Sequence, residues 1–241
     1  MSAISKIISS IVSSERALDD LPLTIRVSPT ARRLRLKVDT RTRTVLLTIP
    51  RRVSKRSALA WAAGHRDWAE RALAAIPVAV PVGPGAMIPF EGEELVLDWD
   101  PRRPRRIEVQ ADHLIAGGPL DGLEVRILRW LRAHARTVLE AETREFAAKA
   151  GVMASKVGVG DPVSRWGSCS SSGTIRYSWR LVLAPAFVRR ATVAHEVAHL
   201  VHMNHGPAFH ALVADLLGTD PRPARLWLRR EGARLHRFGA N

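Results

Sequence analysis

The chain has 241 residues, 46% of them hydrophobic, which is enough to bury a core in one large or two small domains and excludes a mainly disordered protein. Its formal net charge of +14 comes from arginine, since only five of the 37 basic residues are lysine, and such a surface attracts polyanions such as DNA. Cys169 is the only cysteine, so an internal disulfide is excluded and a cytoplasmic location is expected.

Residues 1–20 are expected to form a flexible tail. Serines interrupt every apolar run in this segment, so we expect neither a secretory signal nor a membrane span there. Alternating apolar and polar residues then predict three half-buried strands, at residues 23–27, 34–38 and 45–49. The last two are joined by a turn at 39–43. Residues 58–75 follow as a predicted helix.

The middle of the chain begins with a stretch rich in proline and glycine, residues 76–92, which is the best candidate for an internal connector. Short strands are predicted beyond it, at residues 94–99, 107–110 and 113–116. A long helix is then expected at 123–150, capped by Asp121 and ended by Gly151.

The last third of the chain carries the remaining predicted strands, at residues 156–159, 163–166 and 174–183, with a polar turn at 168–173. A helix is expected to begin after Pro185 and to end near Asn204. Two more helices are predicted at 208–217 and 223–238.

These elements predict an α+β fold with an amino-terminal β-hairpin and helix region, a small antiparallel sheet and one helix that carries the candidate site. We expect residues 21–241 to form a single domain. Within it, residues 21–118 would make a β-rich part and residues 119–241 a catalytic core.

The helix after Pro185 contains the sequence His195-Glu196-Val197-Ala198-His199. Two histidines four positions apart lie on one face of a helix, where both imidazoles can bind the same metal ion. Zinc suits this arrangement because, with three protein ligands, it keeps one position for a water molecule, whose pKa it lowers to about 7. Glu196 can act as the general base. The pattern predicts a hydrolytic zinc centre.

His205 is the preferred third zinc ligand, because a break in the helix at Asn204 would let the chain turn back toward the first two histidines. His202 is seven residues past His195 and is too far along the axis unless the helix breaks earlier. The other competitors are His210, Asp215 and Asp220.

Two side chains are candidates for stabilising a transition state. Tyr177 belongs to the predicted strand before the catalytic helix, and His210 belongs to the helix after His205. The alternatives are ordinary packing for Tyr177 and a surface position for His210. Residues 174–180 are expected to bind an extended substrate by strand addition, since a peptidase holds its substrate extended. This substrate-binding strand contains Ile175, Tyr177 and Trp179.

Three residues before this strand have mainly structural interpretations. Trp166 is expected to pack beneath the strands, and Gly167 to permit a close backbone approach or a bulge. Cys169 could supply a fourth, closing zinc ligand, although a neutral thiol in a turn is the expected state.

Several segments together resemble the YgjP-like metallopeptidase family. They are Arg165-Trp166-Gly167-Ser168-Cys169-Ser170, Trp179-Arg180-Leu181, the HEVAHL sequence, Asn204-His205 with Phe209, and, upstream, Ile49-Pro50-Arg51-Arg52-Val53-Ser54 and Arg66-Asp67-Trp68. The resemblance covers most of residues 23–236. It implies a zincin-type α+β domain in which His195, His199 and His205 hold zinc and Glu196 is the base. The histidine spacing is similar to that of WLM and SprT-related proteases, some of which act on proteins attached to DNA. The chain departs from the common family pattern at Ser178 and His210.

We therefore expect a cytoplasmic zinc metallopeptidase that hydrolyses peptide bonds, with DNA-associated proteins as one substrate class. Two alternatives stay open: a zinc-stabilised nucleic-acid-binding module without catalysis, and a zinc amidohydrolase acting on a small amide. The arginine-rich surface would bind DNA or another polyanion, or it reflects a compositional bias with solvated charge. No membrane contact is expected, and the sequence does not determine the oligomeric state.

Overall fold

The computed structural model describes residues 20–39, 42–76, 80–162 and 164–239. The chain divides into two compact units, Met1–Val78 and Ala79–Asn241, and the boundary falls inside the connector predicted at 76–92. Apart from Asp20, the predicted tail lies outside the described residues, as does Val163 at the start of one predicted strand.

The first unit contains a three-stranded sheet. Its strands are β1 (Leu23–Ser28), β2 (Arg35–Asp39) and β3 (Thr44–Pro50), in the order β1-β3-β2. Strands β2 and β3 pair antiparallel as the predicted hairpin, whereas β1 runs parallel to β3. Alternate side chains of β3, such as Leu47 and Ile49, are buried, as the apolar alternation predicted.

Two helices, α1 (Lys55–Ala63) and α2 (Arg66–Ala74), follow where one helix was predicted. The side chain of Ser54 caps α1 by accepting a hydrogen bond of 3.1 Å from the backbone N–H of Ser57. The single-helix prediction was wrong because Gly64 and His65 interrupt the helix, and glycine has a low helix propensity.

The second unit begins with a four-stranded sheet in the order β4-β5-β7-β6. Its strands are β4 (Met87–Phe90), β5 (Glu93–Asp100), β6 (Ile107–Gln110) and β7 (His113–Gly117). Strand β4 was not predicted because Pro89 lies within it, and proline is tolerated there since β4 is at the sheet edge. The sequence prediction grouped this sheet with the amino-terminal part, but Leu97 and Leu114 share a core with the helices that follow.

The long helix α3 (Leu123–Lys149) contributes many residues to this core. Its apolar residues Ile127, Leu131 and Phe146 are fully buried, whereas Val138 in the same stripe is half-buried. The helix begins after Gly122, which has a positive φ of 68°, and no side-chain hydrogen bond caps it, so the predicted cap at Asp121 is wrong. It ends just before Gly151, as expected.

A second small sheet precedes the helix that carries the HEVAH sequence. It consists of β8 (Lys156–Gly160), β9 (Gly167–Cys169) and β10 (Thr174–Ser178), in the order β8-β10-β9, with β8 parallel and β9 antiparallel to β10. Residues 164–166 lie outside the strands, because pairing with β10 starts only at Gly167.

The predicted strand at 174–183 is too long. It ends at Ser178, whose hydroxyl accepts a hydrogen bond of 3.3 Å from the backbone N–H of Arg180, and Trp179–Leu183 form a short 3₁₀ helix. A serine that caps the next turn ends the strand, although the sequence after it remains apolar.

Three helices complete the unit: α4 (Ala186–Ala198), α5 (Pro207–Leu217) and α6 (Arg222–Leu235). Helix α4 begins after Pro185 as predicted but ends at Ala198, before the expected stop at Asn204. It is almost surrounded by protein, and its Val193, Ala194, Val197 and Ala198 are fully buried.

Arg180 ties the far end of α6 to the rest of the unit. Its guanidinium is 4% exposed; it binds the carboxylate of Asp161 at 2.8 Å and donates to the backbone carbonyl of Leu235 at 2.7 Å. A second backbone carbonyl, that of Phe238, accepts from the same nitrogen as Leu235. One buried cation thus satisfies the carbonyl groups at the end of this helix.

The mixed arrangement of small sheets and helices confirms the predicted α+β, zincin-like class, with the motif-bearing helix α4 at the centre of the second unit. Among the described helices, none is both long and apolar enough to cross a lipid bilayer.

Candidate metal centre

Helix α4 and the turn after it place two histidines one above the other. His195 lies in the last turn of the helix, and His199 follows directly as its carboxy-terminal cap with helical backbone angles. The centroids of the two imidazole rings are 5.0 Å apart. The predicted spacing of four residues therefore brings both side chains to one face, even though the helix ends earlier than expected.

His205 joins this pair from the loop between α4 and α5. One ligand nitrogen from each of the three histidines lies within 4.8 Å of the others. The Nε2 atoms of His205 and His195 are 3.2 Å apart. Two nitrogens bound at zinc distance in a tetrahedral site are separated by about 3.4 Å, so the donor set fits zinc.

The competitors for the third position lie outside this cluster. They are His202, His210, Asp215 and Asp220, and none belongs to the metal-competent group found among the described residues. Because α4 stops at Ala198, His202 lies in the turn that leaves the helix, where its backbone carbonyl, not its ring, contacts the cluster.

The orientation of His199 is fixed by that contact. Its Nδ1 lies 3.1 Å from the carbonyl oxygen of His202, so Nδ1–H donates and Nε2 carries the free lone pair. Burial lowers the pKa of His199. Burial and the neighbouring histidines lower the pKa of His195 to about 4. Both rings are therefore neutral near pH 7, which is the form that binds a metal.

Phe209, from α5, packs against all three histidines. Its ring centroid is 4.9 Å from that of His195, 4.6 Å from His199 and 4.7 Å from His205. The side chain is 1% exposed. A single buried aromatic ring therefore restricts the rotamers of the whole cluster.

The carboxylate of Glu196 lies against strand β9 and lines the same cavity as His195. A Cβ atom placed on Gly167 would be 2.5 Å from Glu196 Oε1, so only glycine leaves room for the carboxylate. This close approach was one of the two roles predicted for Gly167. Burial raises the pKa of Glu196 to about 7, although the charge of Arg165 opposes the shift.

A family model described as the YgjP-like, metallopeptidase domain matches residues 32–231, most of the chain. The chain belongs to the YgjP-like metallopeptidase family. Searches of curated proteins and of solved structures each gave no match. The match spans every residue of the cluster, and a metallopeptidase domain implies a bound metal, which these three histidines could hold.

The strand predicted to bind substrate in this YgjP-like domain is not an edge strand. Strand β10 lies between β8 and β9, so both of its edges are already paired. Ile175, Tyr177 and Trp179 are each no more than 1% exposed, and Trp179 belongs to the 3₁₀ helix. Strand addition at residues 174–180 is therefore excluded, because the backbone groups it needs are already used.

Strand β9 provides the edge instead. Two backbone hydrogen bonds join β10 to the residues on either side of β9. The N–H of Ser178 donates to Trp166 O, and the N–H of Ser170 donates to Thr174 O, so these are hydrogen-bonded pairs. Pairs alternate along an antiparallel ladder, so the backbone groups of Gly167 and Cys169 point away from β10. No strand pairs with that side among the described residues.

Of the two candidate transition-state donors, only His210 borders the site of the YgjP-like domain. Tyr177 is fully buried, and its hydroxyl lies 3.0 Å from that of Thr143 on α3. Burial raises the pKa of Tyr177, which makes it a poor acid. Tyr177 therefore has the packing role that was the alternative prediction. His210 is exposed and shares a cavity with His195 and Glu196.

Cys169 does not join the metal cluster. Its Sγ lies 3.5 Å from the carbonyl oxygen of Ser170, and burial, together with the charge of Glu196, raises the pKa of its thiol. A neutral thiol is the stable form, as the sequence predicted.

A cavity of about 210 Å³ opens beside His195 and Glu196. Its walls come from the β9 edge, α4, α5 and α6, and include Trp166, Ala191, Val213, Ala224, Arg225 and Leu228. The contribution of α6 was not predicted, because the sequence of that helix is dominated by arginine. The signal in the sequence was a helical spacing that places four residues on one face of α6: Pro221, Ala224, Arg225 and Leu228.

Proposed function

We propose that this protein is a zinc-dependent peptidase. His195, His199 and His205 would hold the zinc ion, with Glu196 as the general base. The convergence of the three histidines carries the proposal: their ligand nitrogens lie within 4.8 Å of one another, and the His195–His205 pair, at 3.2 Å, has the separation expected for two ligands of one zinc ion. When bound, zinc supplies Lewis acidity, which polarises a carbonyl group and makes water more acidic.

Glu196 would move the protons of the reaction. Its carboxylate lies between the histidine cluster and Gly167, where an attacking water and a leaving amine both come within reach. It takes a proton from the water and returns it to the amine nitrogen as the peptide bond breaks. His210, which also lines the cavity, is the remaining candidate for stabilising the oxyanion.

The substrate would bind as an extended segment along β9. The free backbone groups of Gly167 and Cys169 lie beside Glu196 and can pair with a peptide in the manner of an added strand. This placement brings a peptide carbonyl near the three histidines. The geometry supports a protein or peptide substrate.

The deciding experiment compares Glu196→Gln and His195→Ala with the unchanged protein. Glu196→Gln should bind zinc at one equivalent and lose peptide cleavage, because a neutral amide cannot accept the proton of water. His195→Ala should lose both. Zinc content by elemental analysis and cleavage of a mixed-sequence peptide library are the measurements. Cleavage by Glu196→Gln at the unchanged rate would refute the mechanism.

The two alternatives have less support. A purely structural zinc site needs a fourth protein ligand, and the cluster in the described residues has three, without Cys169. An amidohydrolase for a small amide needs an enclosed pocket, whereas this cavity is open and adjoins the edge of β9, where an extended chain can bind.

A link to DNA and a cytoplasmic location belong to the proposal as well. Helix α6 exposes Arg222, Arg225, Arg229, Arg230 and Arg234 along the side that borders the cavity and beyond it. Cleavage of a DNA-binding protein should rise when DNA is added and should fall again with salt, if this charge recruits polyanions. An unchanged cleavage rate would indicate that the arginine content reflects compositional bias and does not recruit DNA.

A further inference from the structure

The cavity beside Glu196 has mostly apolar walls. Trp166 closes one side, Ala191 and Val213 come from α4 and α5, and Ala224 and Leu228 come from α6. Trp166 is held in place by α6, because Gly232 leaves it room: a Cβ atom there would be 2.8 Å from the indole ring. The ring of His236 packs against the same indole at a centroid distance of 5.1 Å. These walls are built from packed helices and are not a surface irregularity.

The volume and position of this cavity fit one side chain of a substrate. At about 210 Å³ it is smaller than the typical pocket for a whole ligand. It shares Gly167 with the β9 edge and shares His195 and Glu196 with the candidate metal centre. A peptide paired with β9 would therefore direct a side chain from next to the reacting carbonyl into it, since side chains of an extended chain alternate in direction.

Arg225 is the cation in the lining of the cavity. It is exposed, and no hydrogen bond or ion pair of its side chain is found among the described residues. By contrast, Arg222 on the same helix is bound to Asp220 at 2.6 Å, and Arg234 is bound to Glu231 at 3.0 Å. The charge of Arg225 helps to lower the pKa of Asp220, but no direct ion pair within the described residues holds the guanidinium, so beside this apolar pocket it can bind a carboxylate of the bound molecule.

We propose that this cavity binds one apolar side chain of the substrate, from a residue that flanks the cleaved bond, while Arg225 binds a carboxylate of the same substrate. This selectivity rests on the proposed peptidase function. The carboxylate is either the free terminus of a peptide or an acidic side chain. Selectivity therefore comes from α6, and bond cleavage from the segment 195–205.

The pocket is tested with decapeptides in which Gly, Ala, Leu, Phe or Trp stands in turn on either side of a single cleavable bond. The unchanged protein should cleave the Leu or Phe peptide about 10-fold or more faster, in kcat/KM, than the Gly peptide. Leu228→Ala should extend the preference to Trp, and Leu228→Phe should reverse it toward Ala. Leu226→Ala, at an exposed position of the same helix outside the cavity, is the matched control.

Binding of the same peptides gives a second readout that does not depend on turnover. Fluorescence anisotropy with the Glu196→Gln protein should show the same order of preference and the same reversal in Leu228→Phe. Identical preferences in the unchanged protein and both Leu228 variants would overturn the pocket assignment. If no peptide is cleaved in a manner that depends on Glu196, the proposed function is wrong. The order of peptide affinities measured by anisotropy then still tests the pocket assignment independently.

Arg225 is tested with peptides that carry a free or an amidated carboxy terminus, with and without an adjacent Asp. The unchanged protein should favour the carboxylate-bearing peptides by about 10-fold. Arg225→Gln should abolish this preference, whereas Arg230→Gln, on a different face of α6, should retain it. A preference for the free terminus alone would show that the enzyme cleaves near the carboxy terminus of a peptide. A preference for Asp alone would show that it cleaves at internal sites next to an acidic residue. No difference between Arg225→Gln and the unchanged protein would overturn this half of the proposal.

Discussion

The carboxylate of Glu196 lies directly against the backbone of Gly167, where a Cβ atom would be 2.5 Å from Oε1 and 2.6 Å from Cγ. Glu196 is 5% exposed, so its side chain has little free space to move into. The edge strand and the candidate base are thereby held in one geometry. Strand β9 therefore sets the position of the carboxylate and, in the proposed complex, that of the substrate.

Gly167→Ala should displace the Glu196 carboxylate and lower peptide cleavage by about 100-fold, because general base catalysis contributes about 10²–10⁴-fold and depends on position. Zinc content should be unchanged, since the histidines do not contact Gly167. Gly158→Ala on β8 is the matched control, because its Cβ atom would meet only ordinary contacts, the nearest at 3.7 Å. Equal activity of the two variants would contradict the assigned contact.

Phe209→Ala should destabilise the protein by about 3–5 kcal/mol, as expected for a large buried side chain, and should weaken zinc binding by about 10-fold or more. The second effect follows because all three histidines lose their common packing partner. Chelator competition measures the zinc affinity and urea unfolding measures the stability. Leu216→Ala, at another buried position of α5, should lower stability and leave zinc affinity intact. Equal loss of zinc affinity in both variants would assign the effect to general instability.

Cys169→Pro should raise KM for peptide substrates by about 10-fold, because it removes a backbone donor from the free edge of β9. Proline is tolerated at such an edge, so the fold should persist. Cys169→Ala keeps the backbone donor and should behave like the unchanged protein. A loss of activity in Cys169→Ala would point instead to a role for the thiol.

The Asp161–Arg180 pair should make stability depend on acid pH. Burial alone would raise the pKa of Asp161, but the hydrogen bond and charge of Arg180, with a contribution from His236, lower it below its ordinary value. A lowered carboxyl pKa means that the stabilisation is complete above about pH 4 and is lost as pH falls through the folded-state pKa. The difference in unfolding free energy between the unchanged protein and Asp161→Asn should therefore shrink below about pH 4.

The comparison requires metal-free protein, so that acid release of zinc does not contribute. His236 lies near the same pair, and burial lowers its pKa, so the comparison is repeated in a His236→Gln background. A difference that stays constant from about pH 6 to 2.5 would show that Asp161 has no lowered pKa.

The sequence predicted the local features of the site well. The placement of His195 and His199 on one face, the position of His205 beside them and the start of α4 all follow from short-range rules of helix geometry and chain breaks. The buried stripe of α3 followed from its apolar period in the same way. Such features depend on residues only a few positions apart.

The features that depend on long-range pairing were predicted less well. The substrate strand was assigned to residues 174–180, because the apolar pattern of β10 does not reveal that β8 covers its second edge. Tyr177 was a candidate donor for the same reason, since strand position alone does not show that α3 lies over it. The wall formed by α6 was not predicted, because the many arginines of this helix make its narrow apolar face hard to recognise in the sequence.

Arg180 holds the last turn of α6 through the carbonyl groups of Leu235 and Phe238, more than 50 positions along the chain. The wall of the side-chain pocket is therefore aligned by a residue that touches neither metal ligand nor substrate. The histidines, by contrast, come from an eleven-residue segment and need no such distant alignment. If the proposed pocket and metal centre are correct, substitutions around Arg180 would change substrate selectivity and leave the hydrolytic residues unchanged.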